Sequence, residues 1–224
     1  MKLLTCENAK TSKGESTGYL TGILYLSPAS LSGVNLCPFS SAGCRAACLN
    51  TAGRGRFDSI KEARAIKTLQ WLENPEGFIE QLALDIEALE RKAKREGLTP
   101  VVRLNGTSDI LWERKAPQLF KRFAHIQFYD YTKFPLSVRP SFGLPPNYHL
   151  TFSASETTEQ YEINATLKIG RNVAIVFDEV QQVTETTVDG DEHDLRFLTN
   201  GKIVALKAKG LAKKDVSGFV RRSK

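Results

Sequence analysis

The sequence lacks the features that would direct a chain into or across a membrane. Its 224 residues contain no run of about 18 apolar residues, the length that a membrane-spanning helix needs. Residues 1–10 contain no apolar segment of the kind found in secretory signals. We therefore expect no membrane partner and a cytoplasmic location, where thiols stay reduced.

Cysteine is scarce, and most of it lies in one loop. Of the four cysteines, Cys37, Cys44 and Cys48 fall within twelve residues of the segment LCPFSSAGCRAACLNTAGRGR, residues 36–56. Pairing the remaining Cys6 with one of them would leave two thiols with a choice of partners, which disfavours a disulfide framework. In a reducing compartment such a group indicates a metal or redox site.

The C-x6-C-x3-C spacing of this loop suits a metal centre. Three thiolates can hold zinc with one outside ligand, or three irons of a 4Fe-4S cluster with the fourth iron open. The candidate outside ligands are Cys6, His125, His149 and His193. The alternative is that small buried cysteines simply pack the loop.

The fold class is indicated by short apolar segments that each end in small polar or charged side chains. Five segments show this pattern: residues 20–26, 101–109, 126–133, 149–155 and 172–179. Helical patterns lie between several of them, and a sheet covered on both faces needs such apolar strands. We predict an α/β fold, either a partial βα barrel or a mostly parallel open sheet. At its C-terminus, residues 195–206 predict an antiparallel hairpin that turns at Asn200 and Gly201.

The predicted organisation is a polar N-terminal arm, residues 1–18, followed by a single α/β domain, residues 19–224. This domain includes the cysteine loop, residues 37–48, and a basic C-terminal segment, residues 207–224. The basic segment contains a single acid, Asp215, and the chain carries a net charge of +6. It is either a solvated tail or a contact to a nucleotide or nucleic acid. The acidic residues 189–194 are interpreted as a charged turn.

Polar side chains follow successive predicted strands, at the edge where ligands bind in parallel α/β folds. The cysteine loop opens onto the same edge, which makes its three cysteines the predicted metal ligands. The segment TAGRGR, residues 51–56, precedes a helix and suits an anion. The predicted catalytic residues are Asp109, Asp130 and Lys133, and the predicted cofactor-binding residues are Arg54, Arg56, Arg103, Asn105, Tyr131 and Ser153.

Several ordered motifs resemble the phage gene product 88 family. They are CPFSSAGCRAACLNTAGRG, RLNGTSD, FYDYTK, LTFSAS, VAIVF, GDEHDLRF, LKAKG and the closing SGFV. The resemblance extends from about Leu20 to Val220. It implies a phage or prophage origin, with the host cytoplasm as the location, and it implies no assigned activity.

The function we predict is a metal-dependent enzyme similar to the radical S-adenosylmethionine class. In that class a three-cysteine loop after the first strand of a partial barrel leaves one iron open for the cofactor. The position of the cysteine loop agrees with that class, but its C-x6-C-x3-C spacing differs from the usual C-x3-C-x2-C. One alternative is a zinc-stabilised nucleobase-modifying or transglycosylase-like protein, with Asp109 or Asp130 as nucleophile or general acid/base. Another is a non-catalytic nucleic-acid-binding phage protein.

Overall fold

The structure is a computed structural model that describes residues 1–6, 13–29, 31–179 and 181–222. Within these residues nine strands form one sheet in the order β1-β2-β3-β4-β5-β6-β8-β7, with β9 beside β6. The strands are β1 Leu4–Thr5, β2 Tyr19–Leu24, β3 Thr99–Arg103, β4 Gln127–Thr132, β5 Tyr148–Ser153, β6 Val173–Phe177, β7 Thr187–Asp189, β8 Ile203–Lys207 and β9 Val220–Arg221. Only the pair β1 and β2 is antiparallel in this sheet, which does not close into a barrel. The predicted α/β fold with a mostly parallel open sheet is confirmed.

Helices connect β2 to β3, β3 to β4 and β5 to β6. They are α1 Ala42–Ala46, α2 Asp58–Glu73, α3 Pro75–Glu96, α4 Trp112–Lys115, α5 Pro117–Arg122 and α6 Gln160–Lys168. Asn74 separates α2 from α3, and its side chain accepts a hydrogen bond from Gly77 N at 3.0 Å. This cap and Pro75 at the first helical position explain why one short segment both ends α2 and starts α3.

The two faces of the sheet are covered differently. On the helix-covered face, Leu82 and Leu89 of α3 pack in one core cluster with strand residues such as Val102 and Phe128. On the loop-covered face, Val101 and Tyr129 pack against Leu195, which lies in the segment before β8. Because neighbouring residues of a strand point to opposite faces, polar side chains one position apart lie in different surroundings.

The predicted C-terminal antiparallel hairpin is wrong. Residues 196–198 form a 3-10 turn, and β8 runs parallel to both β6 and β7. A type I′ turn needs positive φ at both central residues, but only Gly201 (φ 64°) has one and Asn200 does not. The side chain of Asn172 instead donates to Arg196 O at 2.9 Å and accepts from Lys202 N at 3.0 Å. These long-range bonds override the local preference for a turn.

The N-terminal residues contribute to the sheet. The predicted polar arm, residues 1–18, falls partly outside the described residues, which omit 7–12. Before that gap, Leu4 pairs with Leu24, and the backbone N–H groups of Leu3 and Leu4 donate to Asp85 Oδ2 at 2.5 and 3.0 Å. This end of the chain is therefore attached to α3.

The basic C-terminal segment is folded onto the sheet as far as Arg222, and residues 223–224 lie outside the described residues. Phe219 and Val220 are buried in a cluster with Ala47, next to Cys44. Its contact with nucleic acid stays a prediction. In the described part of the chain, no helix has the length and apolar character that crossing a bilayer requires.

Candidate functional site

The cysteine loop follows β2 and is fastened to the loops after β3 and β5. Thr107 Oγ1 donates to Leu26 O at 2.5 Å, and Asp109 N donates to Leu36 O at 2.9 Å. From the loop after β5, Glu156 accepts hydrogen bonds from Ser41 Oγ and from the backbone N–H of residue 43, both at 2.7 Å. Three loops thus meet at the carboxyl edge of the sheet, as the sequence predicts.

Glycine at position 43 leaves room for this contact. A Cβ on Gly43 would lie 2.8 Å from the Glu156 carboxyl group and still closer to Ser217 Oγ. Both groups are the ends of side chains, so a larger residue here would displace the Glu156 carboxylate and the Ser217 hydroxyl.

Backbone groups lie close to two of the three sulfurs. Cys37 Sγ accepts from Ala29 N at 3.4 Å and donates to Thr107 O at 3.7 Å. Burial raises the pKa of Cys48, and the backbone of Asn50 opposes that shift. Ala29 has a φ of 44°, in the left-handed region that residues with a side chain seldom adopt. The chain therefore holds Ala29 in an unfavourable conformation at the point where its N–H meets a thiol.

The three thiols lie within electrostatic reach of one another. Burial raises the pKa of Cys37 to about 12, and negative charge on Asp109, Cys48 or Cys44 acts in the same direction. Burial also raises the pKa of Cys44 and of Cys48, while the nearby charge of Lys133 opposes both shifts. As they are placed, no three His, Cys, Asp or Glu side chains of the described residues could hold a metal ion together.

Lys133 lies beside the cysteine loop. Its Nζ donates to Ala154 O at 2.9 Å and lies 4.8 Å from the centre of the Phe219 ring. Burial lowers the pKa of Lys133, and negative charge on Cys44 and Asp109 opposes that shift. A partly buried cation is thus positioned next to groups that become anionic.

Asp109 connects the cysteine loop to a buried ionic network. Its carboxylate accepts from Lys133 N at 2.7 Å and lies 3.4 Å from Arg139 Nη1. Arg139, which is 1% exposed, also forms two hydrogen bonds with Glu113 at 2.9 and 2.6 Å. Burial raises the pKa of Asp109 to about 6, against the opposing hydrogen bond and charge of these neighbours.

The other predicted catalytic carboxylate, Asp130, lies deeper in the same network. It accepts from Tyr148 Oη at 2.8 Å and from Asn105 N at 2.7 Å, and it is 0% exposed. Tyr148 in turn accepts from Arg139 at 3.2 Å. Asp130 therefore connects the loop after β3 to Tyr148 of β5. Of the two carboxylates, Asp109 is the one that lies next to the thiols.

The structure divides the predicted cofactor-binding residues among separate places. Asn105 is buried in the loop after β3, and Ser153 is the last residue of β5. Arg103 and Tyr131 lie on the loop-covered face, where both contact Asp194. Arg54 and Arg56 are exposed in the turn before α2, where Arg56 lies over the ring of Phe57.

Sequence patterns did not indicate the contacts of several residues that build this edge. Glu156 contacts Ser41 across 115 positions, and Arg139 contacts Asp109 across 30. Phe219 covers Lys133 from the far end of the chain. The signal available for Glu156 was its place directly after the polar end of β5.

The raised pKa of Asp109 predicts a pH-dependent stability. The Asp109 carboxyl group has a pKa of 3.8 in the unfolded chain, so it holds its proton more tightly in the folded protein. The free energy of unfolding therefore falls as pH rises from about 4 to about 6. Two pKa units correspond to about 3 kcal/mol. Asp109→Asn should remove this part of the slope in urea titrations across that range. A variant that keeps the full slope would contradict the assignment, and Asp130→Asn provides a comparison because burial raises the pKa of Asp130 to about 7.

Comparison with known proteins identifies a family. No curated protein and no solved structure matches the chain. The family model described as Gene product 88 matches residues 2–223, almost the entire sequence. The chain therefore belongs to the Gene product 88 family.

Proposed function

We propose that the protein is a metal-dependent enzyme whose iron-sulfur cluster is held by Cys37, Cys44 and Cys48 once their side chains, which as placed do not form a metal-binding group, converge on it. Three cysteine ligands leave one iron of a 4Fe-4S cluster free to bind a cofactor. When bound, such a cluster with S-adenosylmethionine supplies one-electron chemistry. The substrate that we infer is a nucleotide or nucleic acid, in keeping with the basic C-terminal segment.

The observation that carries the proposal is the hydrogen bonding of the sulfurs. Ala29 N donates to Cys37 Sγ, and the backbone of Asn50 opposes the rise that burial causes in the pKa of Cys48. Backbone donors to sulfur stabilise thiolate ligands and tune the reduction potential of iron-sulfur clusters. A loop that only packed small cysteines would have no need for the strained φ of Ala29.

The residues that could supply a fourth ligand lie in other parts of the fold. Their positions favour a centre with three protein ligands. Cys6 belongs to the core cluster on the helix-covered face. His125 lies on the surface, where its Nε2 is 2.5 Å from Glu90. His149 and His193 lie near Arg196. This arrangement is compatible with an open coordination position at the centre.

Asp109 and Lys133 are the residues that we assign to proton and charge handling. Because burial raises the pKa of Asp109 to about 6, its carboxyl can take up or release a proton near neutral pH. Lys133, beside Cys44 and Asp109, stabilises negative charge at the carboxyl edge. Glu156 holds α1 in place and acts as a positioning residue.

The test is anaerobic reconstitution with iron and sulfide, followed by metal analysis and visible spectroscopy. The wild-type chain should gain about four irons and a brown chromophore. Cys37→Ser, Cys44→Ser and Cys48→Ser should each lose most of the iron while retaining the circular dichroism spectrum. Consumption of S-adenosylmethionine by the reduced protein should fall with the iron content.

Cys6→Ser is the matched control, because it removes a thiol that lies in the core. It should keep the iron content of the wild type, although its stability will be lower. Full iron loading in the Cys44→Ser variant would exclude Cys44 as a ligand. A colourless protein that binds one zinc would overturn the iron-sulfur assignment.

A further inference from the structure

Buried donors without partners gather on the loop-covered face of the sheet. Among the described residues, Nε of Arg103, Nε of Arg196 and Oγ1 of Thr151 are buried and have no hydrogen-bond partner. Their residues are 4%, 1% and 0% exposed. Folded proteins rarely leave such groups unpaired, so these three, with the Oη of Tyr129 on the same face that also lacks a partner among the described residues, indicate a missing acceptor.

The residues that carry these donors lie on or beside β3, β4 and β5. The guanidinium of Arg103 lies 4.8 Å from the centre of the Tyr131 ring, and Tyr131 is directly opposite Thr151 in the sheet. Burial raises the pKa of Tyr131 and lowers that of His149 to about 4, and the charge of Arg196 lowers both. Arg196 thus lies next to the same two strands.

Among the described residues, the negative charge given on this face is less than the charge of the two guanidinium groups. Asp194 supplies one carboxylate, which accepts from Arg103 Nη1 at 2.5 Å and from Tyr131 Oη at 3.1 Å. Arg196 forms no ion pair with a carboxylate in the described part of the chain. Its Nη2 lies 3.5 Å from Nδ1 of His193, whose pKa is lowered by burial and by Arg196 itself, so that ring is neutral.

The other nearby carboxylate does not supply the missing charge. Asp130 Oδ1 lies 3.9 Å from Arg103 Nε, too far for a hydrogen bond. Its oxygens are already bonded to Asn105 N and Tyr148 Oη. Burial raises the pKa of Asp130 to about 7, so its negative charge is incomplete at neutral pH.

We propose that this face is a binding site for a phosphate group, held by Arg103, Arg196 and Thr151. A phosphate monoanion carries the one negative charge that Asp194 leaves unsupplied, and its oxygens accept from the planar donor fork of arginine. A ligand carboxylate carries the same charge but has fewer oxygen atoms for these donors. The Asp194 carboxylate competes with the phosphate for Arg103. The site does not depend on the cysteine centre.

Isothermal titration calorimetry with inorganic phosphate tests the proposal, at an ionic strength kept constant with chloride. Asp194→Asn removes the competing carboxylate and should tighten phosphate binding at least tenfold relative to the wild type. Arg196→Met should abolish binding, both alone and combined with Asp194→Asn. Arg196→Lys keeps the charge but loses the fork, and it should bind phosphate more weakly than the wild-type chain.

The matched control is Arg122→Met, which removes a positive charge from α5, where Arg122 pairs with Glu87. It should leave phosphate affinity within twofold of the wild type. Circular dichroism shows whether each variant is folded. If Arg196→Met does not fold, Arg196→Lys still tests whether phosphate binding needs the guanidinium group. Unchanged affinity in Asp194→Asn would overturn the proposal. Retained affinity in both folded Arg196 variants would place the phosphate elsewhere and overturn it as well.

Discussion

Arg139→Met should lower the free energy of unfolding by about 3 to 5 kcal/mol, the cost of leaving a buried charge without its partner. Arg139 lies 3.4 Å from Asp109 and 2.6 Å from Glu113, whose side chains are 5% and 7% exposed. Methionine fills much of the volume but donates no hydrogen bond, so both carboxylates would lose their cation. Urea unfolding followed by circular dichroism measures the loss.

Two further variants distinguish this network from a general effect of removing arginine. Arg91→Met removes an exposed arginine whose Nη1 lies 4.0 Å from Glu87, and it should change stability by less than about 0.5 kcal/mol. Adding Glu113→Gln to Arg139→Met should recover part of the loss, because the two residues interact directly. A loss below about 1 kcal/mol for Arg139→Met would show that Arg139 does not hold the network together.

Asn105→Ala should cost about 3 to 5 kcal/mol, because one amide side chain satisfies several buried groups. Its Oδ1 accepts from Ile110 N at 2.9 Å, from Ser108 Oγ at 2.9 Å and from Trp112 Nε1 at 3.2 Å. Its Nδ2 donates to Ile110 O at 2.9 Å. Alanine would leave these buried partners without hydrogen bonds, and the loop that carries Asp109 would lose its shape.

The matched control is Asn74→Ala, which removes one capping bond at the start of α3 and should cost about 1 kcal/mol. Thermal and urea unfolding compare the two variants. If the proposed cluster exists, Asn105→Ala should also lower iron loading, because Thr107 of the same loop contacts Cys37. Equal losses in the two asparagine variants would refute a special role for Asn105.

The parts of the fold that could be predicted are those governed by local pattern. Leu82, Ile86 and Leu89 recur at helical spacing, and α3 buries that stripe. Apolar strands without alternation indicated a sheet covered on both faces, and parallel pairing follows from it. The hairpin at Asn200 and Gly201 failed because its local turn preference is outweighed by contacts with Asn172.

The candidate site was predictable in position but not in its contacts. Loops at the carboxyl ends of parallel strands meet at one edge, which placed Cys37, Asp109 and Lys133 near one another. Sequence spacing contains no information on pairs such as Arg103 and Asp194, which are 91 positions apart. The interpretation of residues 189–194 as a charged turn did not reveal that Asp194 turns inward to meet a buried arginine.

The ends of the sheet have a consequence for behaviour at high concentration. In the described part of the chain, the two outermost strands are β1, with two residues, and β7, with three. Strands this short expose few unpaired backbone groups, so they offer a poor template for edge-to-edge addition of a second molecule. A chain with a large parallel sheet is thereby protected from assembling into β-linked aggregates when its concentration is high.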